Sequence, residues 1–550
     1  MTAVPLADLV TSPDRRAAYL ASGAWEDTTL PGRVALHAHT RPTDLAVVDD
    51  AGRYTYERLA GDVAACAAGL SALGVGSGSV VSVQLPNRYE TVVAAVAVGS
   101  LGAVVNPLLP NYRAHELEHV WRTARPAAVL TPDVYRDFDH RRLVRDVADA
   151  TSLRPRHVVV GEIDDAQTTP FADLLATWTG DAIGSPDASS VSELIFTSGT
   201  EARPKAIMHT EQTANFSVRA AFTDLAMTTD DVVWMPSPVG HSTGFNYGLR
   251  FALYHGLPLV LQDRWDADAA LALATRERCS YTLAATTFLQ DLVECAARAG
   301  VSLDRLTKFG CGGAPVPPRL VDAATEVGIG VLRLYGSTEV LVGSWNRPSS
   351  TDEQRRTTDG VAISGVDLEV RGADNQPVSA GTPGELVTRG PNTCVGFFDD
   401  PERTAAVFEP GGWVRSGDTV TIGDAGYLTV VGRTKEILIR GGINIAPREI
   451  EDLLLGFAEV ERAAVIGLPD DRLGERTCAC VVVRPGASLD LPEVVARFEA
   501  LGVATYKWPQ RLEILDTLPS TASGKIRKHE IVASLVARDA AGTDPNGSHR

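Results

Sequence analysis

The stretch Leu194-Ile195-Phe196-Thr197-Ser198-Gly199-Thr200-Glu201-Ala202-Arg203-Pro204-Lys205 joins a buried-strand pattern to a loop of hydroxyl residues, glycine and lysine. Hydroxyls and backbone N–H groups donate hydrogen bonds to phosphate oxygens, and a lysine supplies positive charge. The spacing differs from G-x-x-x-x-G-K-[ST], so a Walker-type ATPase does not fit. The stretch predicts a polyphosphate loop, and an ordinary solvated loop is the alternative that it leaves open when taken alone.

Short β-branched runs alternate with helical patterns around this loop. Residues 80–85, 127–131 and 156–160 are predicted to be strands, and residues 88–100 a helix with Asn87 as its N-cap. Strands that alternate with helices are typical of proteins in which helices cover both faces of a parallel sheet. The sequence therefore predicts an α/β fold with a largely parallel sheet.

The pattern changes twice in the second half of the chain. After about residue 360, short strand-like runs lie between turn signals such as Gly381-Thr382-Pro383, which indicates a β-rich subdomain. From Gly432 the pattern becomes α+β, with a helix predicted over residues 447–457 and strands over 462–466 and 477–483.

These changes predict the domain organisation. A chain of 550 residues exceeds what one hydrophobic core usually supports. We predict a large N-terminal domain over residues 1–432, made of two α/β subdomains and the β-rich subdomain, and a small mobile α+β domain over residues 433–538. The polar residues 539–550 are predicted to be a disordered tail.

The composition limits the classes of partner. The chain is 44% hydrophobic and 22% charged, as expected of a folded protein, and its net charge is -18. An acidic balance argues against nucleic acid and anionic membranes as partners. The N-terminus lacks a basic start followed by an apolar run, so we expect no signal peptide and a cytoplasmic location.

The seven cysteines are scattered, and none forms a C-x-x-C pair. We interpret them as buried or incidental thiols in a reducing compartment rather than as metal ligands. Cys478 and Cys480 alternate along a strand-like run, and we expect at most one of them to face a core.

Further compact segments carry glycines, hydroxyls and charged side chains. They are Pro236-Ser237-Pro238-Val239-Gly240-His241-Ser242-Thr243-Gly244, Cys311-Gly312-Gly313-Ala314-Pro315, Leu334-Tyr335-Gly336-Ser337-Thr338-Glu339, Trp413-Val414-Arg415-Ser416-Gly417-Asp418, Gly432-Arg433-Thr434-Lys435-Glu436, Arg440-Gly441-Gly442-Ile443-Asn444 and Leu518-Pro519-Ser520-Thr521-Ala522-Ser523-Gly524-Lys525-Ile526-Arg527. Glycine suits a loop that a flat base approaches closely, and a carboxylate such as Glu339 is a hard oxygen ligand for Mg²⁺. The carboxylate of Asp418 can accept hydrogen bonds from both ribose hydroxyls.

Together with the loop at residues 197–205, these segments resemble in order the signature motifs of the adenylate-forming superfamily, in its acyl-CoA synthetase branch. The resemblance extends from about Tyr54 to Lys525. It implies an enzyme that uses ATP and coenzyme A to convert a carboxylic acid into its CoA thioester through an acyl-AMP intermediate. A homodimer is compatible with this interpretation.

The resemblance also implies roles for single residues. Phosphate contacts fall to Thr197, Ser198, Gly199, Thr200 and Lys205. Adenine contacts fall to Gly313, Ala314, Pro315, Tyr335 and Gly336, with Thr338 on the α-phosphate and Glu339 on Mg²⁺. Asp418 and Arg433 are expected to contact the ribose, and Lys435 to act as the hinge. Gly441 and Gly442 are expected to line the thiol channel, and Lys525 to stabilise the transition state.

The acyl pocket is predicted from the segment Pro236 to Gly244. The resemblance places His241 between the acid and the pantetheine channel, and the pocket should include Val239, Thr243, Phe245 and Gly312. Their apolar character favours an aromatic, alicyclic or terpenoid acid over an amino acid. Taken singly, His241, Glu339 and Lys525 are also compatible with a structural histidine, a solvated carboxylate and a surface lysine.

The phosphate loop departs from the family pattern at Glu201, Ala202 and Ala206. An acid near pyrophosphate would be repelled, and alanine would restrict a loop that normally moves around ATP. These departures raise one alternative, a non-adenylating ligase that thioesterifies an acyl-AMP supplied by a partner enzyme. A second alternative, independent of the departures, is a stand-alone adenylation domain that loads a carrier protein.

Overall fold

The computed structural model describes residues 10–161, 165, 167–176, 183–197, 205–313, 316–433, 438–440, 443–445, 447–470, 474–501, 503, 505–521 and 524–540. The chain divides into two compact units. The first comprises Met1–Val316, Leu320–Glu369 and Val387–Arg415, and the second Pro317–Arg319, Val370–Leu386 and Ser416–Arg550. The predicted domain boundary after residue 432 remains a prediction, and residues 541–550 of the predicted tail lie outside the described residues.

A seven-stranded sheet carries the start of the phosphate loop. Its strands are, in spatial order, Ala206–Thr210, Val191–Phe196, Val104–Pro107, Val80–Val83, Ala128–Pro132, Arg156–Val160 and Thr169–Pro170. All neighbouring pairs are parallel except the first, which is antiparallel. The central strands are buried along their whole length, as expected where helices cover both faces of a sheet.

A nine-stranded sheet forms the second layer of the first unit. Its strands are Val361–Ala362, Leu341–Trp345, Val331–Ser337, Lys308–Gly312, Tyr281–Ala284, Val233–Met235, Leu259–Leu261, Leu45–Val48 and Arg53–Thr55. The six inner strands from Val331–Ser337 to Leu45–Val48 pair in parallel, and antiparallel strands close both edges. The carboxyl ends of these parallel strands therefore meet at one edge, where ligands bind in open α/β sheets.

Helices connect and cover these strands. Up to residue 407 they are Pro13–Ala21, Leu30–Thr40, Tyr56–Ala72, Tyr89–Ser100, Ala114–Ala124, His140–Thr151, Phe171–Ala176, Glu211–Asp224, Ser242–Gly244, the π-helix Phe245–Arg250, Phe251–His255, Ala267–Arg276, Thr286–Ala299, Pro318–Glu326, Asp352–Thr357 and Pro401–Val407. Val134–Tyr135 and Phe138–Asp139 form a small hairpin. Within the described ranges, every helix is too short or too polar to cross a lipid bilayer.

A third sheet follows residue 360, where a β-rich region was predicted. It contains Asp367–Arg371, Gly384–Arg389, Trp413–Ile422, Phe408–Glu409 and Leu428–Arg433.

The C-terminal residues form an α+β arrangement. A sheet in the order Ile443–Ile445, Leu438–Arg440, Gly474–Val483, Val460–Asp470 also pairs Arg511–Ile514 with Gly474–Val483. Its helices are Pro447–Leu455, Leu491–Ala500, the 3₁₀ turn Thr505–Lys507 and Lys528–Ala540. The predicted fold class is confirmed: an α/β protein with a large N-terminal part of mixed sheets and a small C-terminal α+β part.

Two local expectations are wrong. Cys478 and Cys480 are both fully buried in one cluster, with their sulfurs 3.9 Å apart, because residues two apart in a strand share a face. Each of the seven cysteines is buried as a free thiol. The helix Tyr89–Ser100 takes Arg88, not Asn87, as its N-cap, and makes no side-chain cap hydrogen bond.

Candidate active site

The two ends of the phosphate loop are held together by a β ladder. Ile195 pairs with Ile207 and Phe196 with Ala206, and the Thr197 N–H donates to the Lys205 carbonyl at 3.0 Å. Ser198, Gly199 and Thr200 lie outside the described residues, as do Glu201 and Ala202. The ladder fixes where the loop leaves the sheet and where it returns.

Ala206 is not part of the loop, contrary to our expectation. It is the first residue of the Ala206–Thr210 strand, it is buried, and its carbonyl accepts the Phe398 N–H at 2.8 Å. A strand position of this kind does not require glycine. The replacement of glycine by alanine therefore places no restriction on loop movement at this position.

Lys205 and Glu339 lie side by side. The Lys205 Nζ is 3.9 Å from the Glu339 Oε1 and 5.7 Å from the centre of the Phe397 ring. Both charged side chains are about four-fifths buried, at 19% and 18% exposure. Burial weakens solvent screening, so this ammonium and carboxylate act strongly on charges that enter the site.

His209 links the phosphate-loop strand to the segment that carries Glu339, and sequence reasoning missed it. Its Nε2 is 2.7 Å from the Thr338 carbonyl oxygen, and its Nδ1 is 3.1 Å from the Thr213 Oγ1. Burial lowers the pKa of His209 to about 4, so the ring is neutral near pH 7. The Glu339 carbonyl in turn accepts the Cys394 N–H at 2.8 Å, so the backbone is fixed at both Thr338 and Glu339.

Glycines bring the adenine-type segments close to neighbouring backbone. Gly312 pairs in register with Leu334, and a Cβ on Gly312 would lie 2.4 Å from the Leu334 carbonyl oxygen. A Cβ on Gly336 would lie 2.3 Å from the Leu341 carbonyl oxygen. Tyr335, which precedes Gly336 in the same strand, is 6% exposed.

The adjoining Gly313 has a φ of +75°, a backbone conformation that favours glycine. Ala314 and Pro315 lie outside the described residues.

The His241 segment packs tightly by its backbone. A Cβ on Gly240 would lie 2.2 Å from the Leu108 carbonyl oxygen, and one on Gly244 would lie 2.3 Å from the Pro238 carbonyl oxygen. His241 caps the short helix that follows, because its Nδ1 accepts the Thr243 N–H at 3.2 Å. Burial lowers the pKa of His241, and the neutral ring then carries its proton on Nε2.

Asn87 holds the same segment from the other side. Its side-chain N–H₂ donates to the carbonyls of Ser237 at 2.9 Å and of Met235 and Gln262 at 3.2 Å. Its Oδ1 accepts the Val239 N–H at 2.8 Å. Sequence reasoning assigned Asn87 to a helix cap because asparagine is favoured there, and only the tertiary contact reveals its role.

The pocket residues continue into the π-helix Phe245–Arg250. Val239 and Phe245 are buried, and Thr243 is partly buried. Tyr247 ties this helix to the next sheet, because its hydroxyl accepts the Val342 N–H at 2.7 Å and lies 2.5 Å from the Ser217 Oγ.

The second unit holds the ribose-type and lysine motifs. Asp418 is buried, its N–H donates to the Ser416 Oγ at 3.0 Å, and its Cα pairs in register with that of Arg433. Gly417 precedes it with a φ of +70°. Lys435, Gly441 and Gly442 lie outside the described residues.

Lys525 closes a tight turn. The Thr521 N–H donates to the Lys525 carbonyl at 2.7 Å, and the Lys525 N–H donates to the Thr521 Oγ1 at 3.1 Å. Gly524, with a φ of +85°, allows the chain to turn there. The turn presents Lys525 at a partly exposed position.

Within the first unit, the structure thus brings Lys205, just before the Ala206–Thr210 strand of the seven-stranded sheet, next to Glu339. Thr338 and Glu339 follow the Val331–Ser337 strand of the nine-stranded sheet. The structure sets Gly312 beside the strand that carries Tyr335. The candidate residues of the second unit, Asp418 and Lys525, belong to separate elements of that unit.

Comparison with known proteins identifies the family of this chain. The profile of the family described as AMP-binding enzyme matches residues 34–398, and that of the AMP-binding enzyme C-terminal domain matches residues 449–525. The solved structure of the amide bond synthetase McbA from Marinactinospora thermotolerans superposes with a TM-score of 0.82 at 26% identity, covering 92% of this chain and 99% of that one.

Relatives of known name match nearly end to end. The chain is 35% identical to the medium-chain fatty-acid–CoA ligase of Escherichia coli (strain K12), over 96% of this chain and 94% of the relative. It is 34% identical to the 2-hydroxy-7-methoxy-5-methyl-1-naphthoate–CoA ligase of Streptomyces carzinostaticus, over 96% and 97%. The chain belongs to the AMP-binding enzyme family, among the acyl-CoA ligases of the adenylate-forming superfamily.

Proposed function

We propose that this enzyme activates a cyclic, aromatic or terpenoid carboxylic acid with ATP and transfers the acyl group to coenzyme A. The observation that carries the proposal is the pairing of Lys205 with Glu339 beside the fixed ends of the phosphate loop. A cation and a carboxylate that lie together in a largely buried position suit a polyphosphate and the metal ion that accompanies it.

The first half-reaction joins the acid to AMP. A carboxylate oxygen attacks the α-phosphorus, the bond to the bridging oxygen breaks, and pyrophosphate leaves. Thr197, Ser198, Gly199, Thr200 and Lys205 hold the phosphates, and Thr338 contacts the α-phosphate. Lys525 stabilises the charge that builds on the transition state, because an ammonium in a water-poor site interacts strongly with phosphate oxygens.

The nucleoside is held by backbone and by one carboxylate. Gly313, Ala314, Pro315, Tyr335 and Gly336 border the adenine. Asp418 accepts hydrogen bonds from the ribose, with Arg433 beside it.

The donor chemistry at Glu339 fits Mg²⁺. This ion needs few protein ligands when phosphates and waters complete its shell, and a single carboxylate is sufficient. When bound there, the ion would neutralise phosphate charge. Lys205 limits the negative charge around Glu339 before ATP arrives.

The second half-reaction transfers the acyl group. The thiol loses its proton to solvent, its sulfur attacks the acyl carbon, and AMP leaves with the electrons of the broken acyl–oxygen bond. A rotation of the C-terminal domain about Lys435 removes Lys525 and brings Gly441 and Gly442 to the thiol channel. His241 lies between acid and thiol, and its neutral ring with the proton on Nε2 can donate to the acyl oxygen.

The pocket residues support an apolar acid. Val239 and Phe245 are apolar and buried, and the Gly312 backbone packs against the Leu334 carbonyl with no room for a side chain. Aromatic and fatty acids both occur among the substrates in the relatives' names. We expect rings to bind better than flexible chains, because a rigid acid loses less conformational entropy in a fixed pocket.

Two assays on one panel of acids test the proposal. The panel contains benzoates, naphthoates, alicyclic, terpenoid and medium-chain fatty acids. We expect acid-dependent exchange of pyrophosphate into ATP and formation of the matching CoA ester with free coenzyme A. Pyrophosphate exchange without formation of any CoA ester would contradict the proposal and favour a carrier protein as the acyl acceptor.

A non-adenylating ligase is the second candidate, and the acidic Glu201 in the phosphate loop favours it. That enzyme would show no pyrophosphate exchange with any acid, yet would form CoA ester from supplied acyl-AMP. Glu201→Thr would then restore exchange. The retained Lys205, Glu339, Asp418 and Lys525 favour the complete reaction.

A further inference from the structure

A fully buried charge cluster lies at the end of the π-helix that continues the acyl-pocket segment. Arg250, the last residue of the π-helix, is 1% exposed. Its partners Glu193 and Glu211 are also buried. Glu193 lies in the Val191–Phe196 strand that leads to the phosphate loop, and Glu211 begins the helix that follows Ala206–Thr210.

Every donor of the Arg250 guanidinium is used. Its Nη1 donates to the Glu211 Oε2 at 2.7 Å and to the Asn215 Oδ1 at 2.6 Å. Its Nη2 donates to Glu193 and to the Glu211 Oε1, the latter at 3.2 Å. Its Nε donates to the Asn246 Oδ1 at 3.1 Å. A guanidinium has five N–H groups, so the cluster is complete.

The carboxylates are held as firmly from other elements. The Glu193 Oε2 accepts the Asn246 side-chain N–H at 3.1 Å, and the Glu211 Oε2 accepts the backbone N–H of Leu30 at 2.9 Å. Asn246 therefore joins Glu193 and Arg250 from within the π-helix itself. The cluster connects a sheet strand, two helices and the pocket segment at one point.

The elements joined by this cluster differ in how strongly their own backbone hydrogen bonds stabilise them. The Val191–Phe196 strand has a ladder partner on each side. A π-helix is rare and marks places where a function offsets its poorer geometry. Loss of the cluster would therefore release the π-helix rather than the strand.

We propose that Arg250 is a positioning residue that fixes residues 241–250 in the geometry needed to bind the acid, using Glu193 and Glu211 as its anchors. The proposal rests on the proposed function for its kinetic readout. Arg250 does not touch substrate; it acts through Thr243 and Phe245, which precede it in the segment.

The first test needs no substrate. Hydrogen–deuterium exchange of the apo full-length enzyme is followed in peptides that cover residues 241–250 and 191–196. In Arg250→Met we expect exchange in residues 241–250 to rise about tenfold or more and residues 191–196 to stay unchanged. Unchanged exchange in residues 241–250 would overturn the proposal, whether or not any acid is turned over.

The second test separates positioning from general destabilisation. In Arg250→Met we expect the KM for the acid to rise about tenfold while the KM for ATP stays within about twofold. A parallel rise of both KM values would overturn the proposal. Arg250→Lys keeps the charge but loses the fork that contacts both carboxylates, and it should fall between wild type and Arg250→Met.

Two further variants complete the design. Glu193→Gln keeps the size of the side chain and remains informative if Arg250→Met does not fold; we expect the KM for the acid to rise about threefold.

Lys308→Met is the matched control, because Lys308 is a largely buried cation, 3.0 Å from Asp231. It lies at the strand end opposite Gly312, about 13 Å away along the chain. Lys308→Met should change neither the hydrogen–deuterium exchange of residues 241–250 nor the ratio of the KM for the acid to the KM for ATP. An effect equal to that of Arg250→Met would contradict the proposal.

Discussion

Lys205 and Lys525, the two lysines of the candidate site, are held in different ways. Lys205 follows a loop whose ends are paired in a sheet, and its ammonium lies against Glu339 and the Phe397 ring. Lys525 lies on a turn closed by hydrogen bonds between Thr521 and Lys525, only four residues apart. Long-range contacts fix a group in one place, whereas a turn with its own hydrogen bonds keeps its shape when a domain moves. The difference suits the proposed mechanism, in which Lys205 stays in place and Lys525 moves with its domain.

The largest expected effect separates these two roles. Lys525→Ala should reduce pyrophosphate exchange by about 10³-fold, because the lost charge acts on the first transition state. CoA-ester formation from supplied acyl-AMP should fall less than about threefold. The two rates are measured with the same acid.

Lys507→Ala serves as the control, since Lys507 forms a surface ion pair with Glu449 in the same unit. If Lys525→Ala lowers the rates of both half-reactions equally, the proposed contrast between a fixed Lys205 and a Lys525 that moves with its domain is wrong.

Acid pH should destabilise the first unit. Burial lowers the pKa of His209 to about 4, against about 6.5 in an unfolded chain. Between these values the unfolded state binds the extra proton, so stability is present above pH 6.5 and is lost as pH falls towards 4. The loss from His209 alone is about 3 kcal/mol.

Urea unfolding at pH 7 and pH 4.5 measures this loss, and His209→Gln should make it smaller. His37 and His157, also with pKa values lowered to about 4, act in the same direction and belong to the same unit. An equal loss in His209→Gln and wild type would contradict the assignment of a neutral, buried ring.

Glu339→Gln tests the carboxylate that lies next to Lys205. The amide keeps the shape of the side chain but removes the charge that would hold Mg²⁺ and face Lys205. We expect pyrophosphate exchange to fall about 100-fold and the Mg²⁺ concentration for half-maximal rate to rise. A Mg²⁺ titration of both enzymes measures this. Glu353→Gln, at an exposed ion pair with Arg356, is the control.

The smallest effect concerns Asn87. Asn87→Leu removes a side chain that accepts one backbone N–H and donates to three carbonyls, and it should destabilise the protein by about 2 kcal/mol. Because Val239 precedes His241 closely, the KM for the acid should also rise, by about threefold. Thermal unfolding and acid titrations check both changes, and an unaltered KM would limit Asn87 to a structural role.

The sequence predicted the fold class, because alternating strand and helix patterns are local features. The candidate residues Thr197, Tyr335 and Lys525 came from the resemblance of short local segments to the family, and their roles remain predictions. The roles of His209 and Asn87 depend on carbonyls about 130 and 150 residues away in sequence. Such contacts leave no local pattern. The error at Cys478 and Cys480 was one of strand geometry, since side chains two apart point the same way.

The π-helix has a consequence for insertions and deletions. A π-helix holds an additional residue compared with an α-helix over the same span, and one residue corresponds to about 100° of rotation and 1.5 Å of rise in an α-helix. Removing a single residue between Phe245 and Arg250 would therefore turn one end of this segment against the other. Either Phe245 would leave the position proposed for it in the acyl pocket, or Arg250 would leave its carboxylates. Chain length in these six positions should thus be far less variable than residue identity, the reverse of what is expected in surface loops.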